Sequence, residues 1–289
     1  MAGADVWVAE FEAERGRLRR LAYGMLGSVA EAEDAVQDAW LRLERAEAAQ
    51  VRNLTAWLHT VVSRLCLDRL RARKAHAEEP VGLAVAALDG EPGPEQEVEL
   101  LDSVGRALLV VLDRLGPAER VAFVLHDLFA LPFEQIAPIV DRSPVAAKKL
   151  ASRARQRVRG NPVVPPAEVA EQRRVVEAFL AAARGGRLDA LLELLAPDVV
   201  RRAEPAVLPA GAPVVLRGAE AVARATAVLG RRGGFAAAAL VDGRVGVVVA
   251  PHGRLLLVLL VSVAGGRVTG YEVVADPARI AALELAALC

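Results

Sequence analysis

The sequence predicts a multidomain chain of two all-α helical domains followed by one α+β domain. Three observations predict it. Apolar residues recur at helical spacing through residue 160 or so. From about 235 the pattern changes to β-branched and Leu-rich runs parted by hairpin signals. Two joints of loop composition separate the blocks. The length of 289 residues suits two or three domains.

The helical part repeats Leu18, Leu21, Ala22, then Val36, Trp40, Leu43, then Leu58, Val61, Val62, Leu65. Turn signals fall at Gly27-Ser28, Arg52-Asn53, Gly116-Pro117 and Leu131-Pro132. Ser28 is an N-cap with Glu31 in the first turn after it. The first joint, 78 to 105, holds eight acids and no base, with Pro80, Gly90, Pro92 and Gly93 among them. It reads as an acidic linker whose end, from about Pro94, can start a helix. The second joint is Gly160-Asn161-Pro162-Val163-Val164-Pro165-Pro166, a short stiff connector. Helical patterns follow at 168–184, 187–195 and 218–230. Val245 to Val249, Leu255 to Val263 and Val268 to Val274 then read as strands of an antiparallel meander. Pro251-His252-Gly253 and Gly265-Gly266 separate them.

Composition excludes several classes. Lys plus Arg and Asp plus Glu are both 36, so the whole is neutral and is no simple polycation. At 54% hydrophobic the chain is not mainly disordered. Cys66 and Cys289 are the two cysteines, too few for a disulfide framework or a four-Cys zinc site. Four scattered His make a structural metal unexpected, and no cofactor is expected. The most apolar run, Leu255 to Ala264, is about half the ~20 residues a spanning helix needs, and reads as a buried strand. The acidic N-terminus lacks an apolar run, so no signal peptide, no membrane partner and a cytoplasmic location are expected.

The segment 132–159 is the most informative. Pro132 to Val140 reads as a short amphipathic helix, Asp141-Arg142 as a turn, and Ser143 as an N-cap with Pro144 at the first helical position. From 143 to 159 there are six basic residues and no acid. Val145, Leu150, Ala154 and Val158 are expected to face the core, with Lys and Arg outward. This is a helix-turn-helix pattern. In such a pattern, residues at the start of the second helix reach base edges and later ones meet phosphates. The pattern alone also fits a solvated basic helix.

A second basic helix spans 55–76, with Arg64, Arg69, Arg71, Arg73 and Lys74 against Asp68. Trp57 and His59 lie near its start. Base stacking and counter-charge suit single-stranded nucleic acid, although one Trp in a helix also serves as core. Upstream, Asp34, Gln37, Asp38 and Leu41 share one face of the helix from Glu31. That face can dock a basic partner helix or simply be solvated.

Several motifs together resemble a family. Leu21-Ala22-Tyr23-Gly24-Met25-Leu26-Gly27-Ser28, Glu33-Asp34-Ala35-Val36-Gln37-Asp38, Ala56-Trp57-Leu58 and Cys66-Leu67-Asp68-Arg69-Leu70-Arg71 resemble region two of the extracytoplasmic-function (ECF) sigma factors. Leu115-Gly116-Pro117-Ala118-Glu119-Arg120, Phe123 and 132–159 with Ser152-Arg153-Ala154-Arg155 resemble region four. Leu194-Leu195-Ala196-Pro197-Asp198-Val199-Val200 is similar to the start of the SnoaL-like domain that ends one sigma-factor subgroup. Asp276-Pro277-Ala278-Arg279-Ile280 loosely resembles its Asn-Pro-Asp-Lys-Leu tail. The linker reads Glu79-Pro80-Val81-Gly82 where the subgroup often carries Trp-Leu-Pro-Glu-Pro.

The resemblance implies five segments. Residues 1–77 are region two, 78–105 the acidic linker, 106–160 region four with its helix-turn-helix, 161–168 the Pro-rich linker, and 169–289 a cone-shaped SnoaL-like regulatory domain. It also implies roles. Asp34, Gln37, Asp38 and Leu41 would dock on the clamp helices of core RNA polymerase. Arg52, Asn53, Thr55 and Trp57 would hold the melted minus-ten strand, with Arg64, Arg69, Arg71 and Arg73 along its backbone. Ser143, Pro144, Val145, Ala147, Lys148 and Lys149, with Arg153 and Arg155 beyond them, would engage the minus-thirty-five duplex. Promoter opening costs a few kcal/mol per unstacked base, offset by stacking worth ~1–3 kcal/mol per base. Such a factor is not an enzyme.

Some SnoaL-like relatives are cyclases or isomerases using Asp/His pairs. Here the block has His252 at a hairpin tip, Asp198 and Asp242 at element ends, and Glu272 inside a strand. No such pair is evident, so regulation through contact with the sigma regions, or sensing of a small apolar ligand, is expected. The alternatives are a helix-turn-helix regulator with a ligand-binding C-terminal domain, or one fused to an isomerase or cyclase. A repressor needs neither the Asp34/Asp38 face nor the Trp57 helix. Cys66 is expected to pack in the region-two core, and His126 to be a packing or surface residue.

Overall fold

A computed structural model describes residues 2–46, 51, 53–75, 105–209, 211–230, 235–251 and 254–288. Arg52, His252, Cys289 and the acidic linker, apart from Gly105, lie outside the described residues. The chain divides into two compact units. The first gathers 2–75 and 112–156; the second gathers 105–111 and 157–288.

In the first unit, α1 (Ala2–Leu26), α2 (Val29–Glu44) and α3 (Leu54–Ala75) pack on one another. The breaks fall at the turn signals. Gly27 adopts φ 73°, where glycine has no Cβ penalty. Ser28 then accepts from the Glu31 amide at 3.4 Å, the expected cap. Leu18, Leu21, Val36, Leu43, Leu58 and Val62 are buried, as the spacing predicts. Trp40 is half-buried, its ring 4.8 Å from Phe11. Cys66 is buried, and burial pushes its thiol up to about 12, which keeps it inert.

The second helical block has α4 (Arg106–Asp113), α5 (Pro117–Phe123), a wide turn at Val124–Leu128, α6 (Phe133–Ile136) and α7 (Pro144–Arg159). Pro117 opens α5, and the Glu119 carboxylate accepts from the Gly116 amide at 3.3 Å. Within the first unit α5 packs on α3, and α1 runs against the wide turn. Arg120 is buried there and donates to Asp113 at 3.0 Å. His126 is half-buried, stacked 4.0 Å from Phe133.

The second unit is a seven-stranded sheet with α8 (Pro166–Arg184), α9 (Leu188–Leu194) and α10 (Ala219–Gly230) against it. The strands are β1 (Leu195–Ala203), β2 (Val215–Arg217), β3 (Ala236–Val241), β4 (Arg244–Val249), β5 (Leu257–Ala264), β6 (Arg267–Val274) and β7 (Leu285–Ala286). Their order is β2-β1-β6-β5-β4-β3-β7. β4 to β6 form the expected antiparallel meander, β3 adds a further antiparallel strand beside β4 that the pattern did not mark, and β1 lies parallel to β6. A short helix, α11 (Pro277–Ala282), precedes β7 and is capped by Asp276. The core joins Val176 and Phe179 of α8, Leu191 of α9 and Val222 of α10 to Val199, Val247 and Tyr271 of the strands. Fully burying such a side chain contributes about 1.5–3 kcal/mol.

The connector belongs to this unit as structured chain. The Val163 amide donates to Gly243 O at 3.0 Å. Gly243 has φ 73°, and a Cβ there would sit 2.6 Å from Asn161 O. Asp242 turns the β3–β4 hairpin at φ 48° and accepts from the Glu284 amide at 2.8 Å.

Candidate polymerase and promoter surfaces

Helix α2 buries Ala32, Ala35, Val36, Ala39 and Leu43. The opposite face carries the docking candidates. Asp34, Gln37 and Leu41 are exposed and Asp38 is half-buried. Leu41 is 40% exposed, an apolar residue on an otherwise acidic face.

Asp38 is not alone on that face. It pairs with Arg69 Nη2 at 2.8 Å, while Arg69 Nη1 donates to Glu31 O at 2.7 Å. A docking candidate and a strand-binding candidate therefore share one ion pair. Arg73 pairs with Glu31 and donates to Leu26 O at 3.0 Å. These bonds pin α3 to α2 and to the end of α1, a cost that any partner of these arginines must meet.

Asn53 precedes α3 and accepts from the Ala56 amide at 2.9 Å, capping the helix. Thr55 and Trp57 are half-buried in its first turn. His59 is buried, with Nε2 3.6 Å from Glu14. Desolvation, with help from Arg17, holds its pKa below the ordinary value against the pull of Glu14.

Two α3 arginines reach the helix-turn-helix. Arg64 Nη2 donates to Pro138 O at 3.0 Å, and Arg71 lies 3.6 Å from Asp141. Asp141 is the turn itself, at φ 55°. Asp can adopt this conformation, which most residues avoid.

In α7 the Ser143 cap forms, its Oγ accepting from the Ala146 amide at 3.3 Å. The expected core phase needs correcting. Val145 is 67% exposed, whereas Ala147, Ala151, Ala154 and Val158 are buried. The inward stripe runs 147, 151, 154, 158, a spacing of four, three and four that keeps one helical face. Ala147 thus packs inside and does not reach a base. Ser143, Pro144, Val145, Lys148, Lys149 and Arg153 are exposed together. Arg155 is partly tied down, donating to Asp127 at 2.7 Å, and that bond raises its pKa. The first helix of the motif is also shorter than expected: Phe133–Ile136, followed by turns.

The second unit's carboxylates are mostly structural. Glu272 pairs with Arg279 at 2.8 Å. Burial acts to raise the Glu204 carboxyl, but the Ala275 and Asp276 amides and Arg279 outweigh it, so it is held below its ordinary value. Asp198 is exposed. Sequence reading passed over Arg201, Thr226 and Tyr271, three polar residues buried in this unit. The signal for Arg201 was available only once β1 was known to be a strand, since alternation then turns it inward.

Comparisons with known proteins agree with the two helical blocks. Residues 11–76 match Sigma-70 region 2, and 105–158 match Sigma-70, region 4. The chain is 36% identical over 289 residues to a probable ECF RNA polymerase sigma factor SigI of Mycobacterium tuberculosis, covering 97% of each. It is 42% identical over 201 residues to ECF RNA polymerase sigma factor SigJ of the same organism, covering 66% of this chain and 63% of that protein. A crystal structure of Mycobacterium tuberculosis SigJ aligns with TM-score 0.45 at 34% identity, covering 95% of this chain and 98% of that one. The chain belongs to the ECF RNA polymerase sigma factors. A factor of this family binds core RNA polymerase and promoter DNA to initiate transcription.

Proposed function

We propose that this sigma factor rests with regions two and four packed together, and that engaging polymerase and promoter separates them. In this reading the Asp34, Gln37, Asp38 and Leu41 face docks on polymerase. Asn53, Thr55, Trp57 and the α3 arginines take the minus-ten strand. Ser143, Pro144, Val145, Lys148, Lys149, Arg153 and Arg155 take the minus-thirty-five duplex. The observation that carries it is the contact of Arg64 and Arg71 with Pro138 and Asp141, at 3.0 and 3.6 Å. The two promoter elements lie ~25 base pairs apart, roughly 85 Å of duplex at ~3.4 Å per pair. Residues touching both elements at once cannot remain in that contact.

The C-terminal domain sets the balance by contact rather than by turnover. Two features support this. The Ala287 amide donates to Val158 O at 2.8 Å, within the second unit, at the last turn of the recognition helix. The polar groups of the domain's cavity are two guanidiniums and a Tyr–Thr hydroxyl pair, a set suited to holding an anion rather than to moving protons. Only the difference in its contacts between the packed and separated states matters, and ~1–3 kcal/mol suffices for a clear effect. The factor acts in the cytoplasm, with polymerase; among the described residues no helix is long and apolar enough to cross a membrane.

Cutting the chain after Pro166 tests this. Reconstituted transcription with core enzyme should change several-fold, in one direction or the other, with promoter choice intact. Equal activity of full-length and truncated proteins would refute regulation by this domain. Turnover of a small substrate by the full chain would favour the enzyme reading.

A further inference from the structure

The second unit holds a partly open cavity of about 120 Å³ between α8, α10 and the sheet. One water molecule needs ~10–15 Å³ by comparison, so a small organic molecule fits. Phe179, Val247, Leu257 and Val273 supply apolar wall.

Two guanidiniums line this space: Arg184 is exposed and donates to Ala236 O at 2.6 Å, whereas Arg201 is buried. Along β1, Val199, Arg201 and Ala203 are buried while Val200 and Arg202 are more open. A strand's period of two places Arg201 on the core side between two apolar residues. Arg201 is 4% exposed. Its Nη2 donates one long bond, 3.4 Å, to Pro213 O. Its Nη1 is buried without a hydrogen-bond partner among the described residues. Among the described residues no carboxylate pairs with it.

The neighbouring hydroxyls do not neutralise it. Tyr271 is the cross-strand partner of Arg201 on β6. The Thr226 hydroxyl donates to Val222 O at 2.8 Å, so its single proton is used. Tyr271, 2.7 Å away, is then the donor to Thr226 Oγ1. The result is a fixed, uncharged pair beside a guanidinium.

A buried lysine in this position would shed its proton; an arginine does not. A buried cation lacking a counter-charge is costly until an anion joins it. Guanidinium presents a planar fork that matches a carboxylate. We propose that this cavity binds a small amphipathic monocarboxylate, its carboxylate on Arg201 and its apolar body against Phe179, Val247, Leu257 and Val273. The inference deepens the reading of this domain as a regulatory module. Binding is measured without polymerase, so its failure is distinct from the failure of that reading.

The test is calorimetric titration of the full-length chain with benzoate and hexanoate, beside benzyl alcohol and 1-hexanol. At least one acid should bind saturably at one site, with its alcohol at least tenfold weaker. Arg201→Met should erase the preference for the acid while thermal unfolding shows a folded protein. If that variant does not fold, the acid–alcohol comparison on the wild-type chain still decides. Equal binding of acid and alcohol, no binding of either, or a folded R201M that keeps the preference would each overturn the proposal.

Discussion

Replacing Lys148 and Lys149 together by glutamate will abolish promoter-specific transcription while core polymerase binding survives. Both lysines are exposed on α7, opposite the buried stripe of Ala147, Ala151, Ala154 and Val158. The helix keeps its Ser143 cap and its packing, so the fold is untouched. Two phosphate-neutralising cations become two anions. Each phosphate left without its cation lowers the salt slope of duplex affinity by about 1, so the slope should fall by about 2. Duplex affinity measured at several salt concentrations checks this, beside run-off transcription. Normal transcription from the wild-type promoter would remove α7 as the recognition helix.

The double change Asp34→Arg and Leu41→Glu will weaken binding to core polymerase by about a hundredfold. Reversing interface charge and inserting charge into an apolar contact each cost on the order of 1–3 kcal/mol, and every ~1.4 kcal/mol is tenfold in affinity. These two positions are the cleaner test because Asp38 is also the partner of Arg69. Changing Asp38 would confound weaker docking with a loosened α2–α3 pairing. Both chosen residues are exposed and away from the buried face of α2. Fluorescence titration of core enzyme gives the affinity, and circular dichroism confirms the fold. Wild-type affinity in a folded variant would contradict the docking face.

Much of the fold was legible because local pattern and tertiary packing agree. Helices α2, α3 and α8 are amphipathic, with Gly, Ser, Asn or Pro at their starts, and the meander strands are Val- and Leu-rich. What was missed depended on long-range pairing. β1 contains Pro197 and a register irregularity between Leu195 and Val200, and its neighbour β6 is some 70 residues on. β3 begins with an alanine run of poor strand propensity, held by its pairing with Val245 to Val249. The face of α2 was readable from spacing alone, since helical geometry fixes it. Apart from Asp68 one turn before Arg71, the partners of Arg64, Arg69, Arg71 and Arg73 were not, because those contacts join residues far apart in sequence. The phase of α7 was misjudged at Val145 because capping marks where a helix starts, not which neighbours cover its first turn.

Separation of regions two and four is the central claim, and a distance measurement tests it most directly. Spin labels at Ala72→Cys on α3 and Gln135→Cys on α6 occupy exposed positions. Cys66 is buried and its thiol is protonated, so it does not compete, and Cys289 is replaced by serine. Dipolar spectroscopy should give one short distance in the free protein. In the complex with core polymerase and promoter DNA it should lengthen by several tens of ångström, on the scale of the roughly 85 Å between promoter elements. The same short distance in the free protein and in a transcriptionally competent complex would contradict the account.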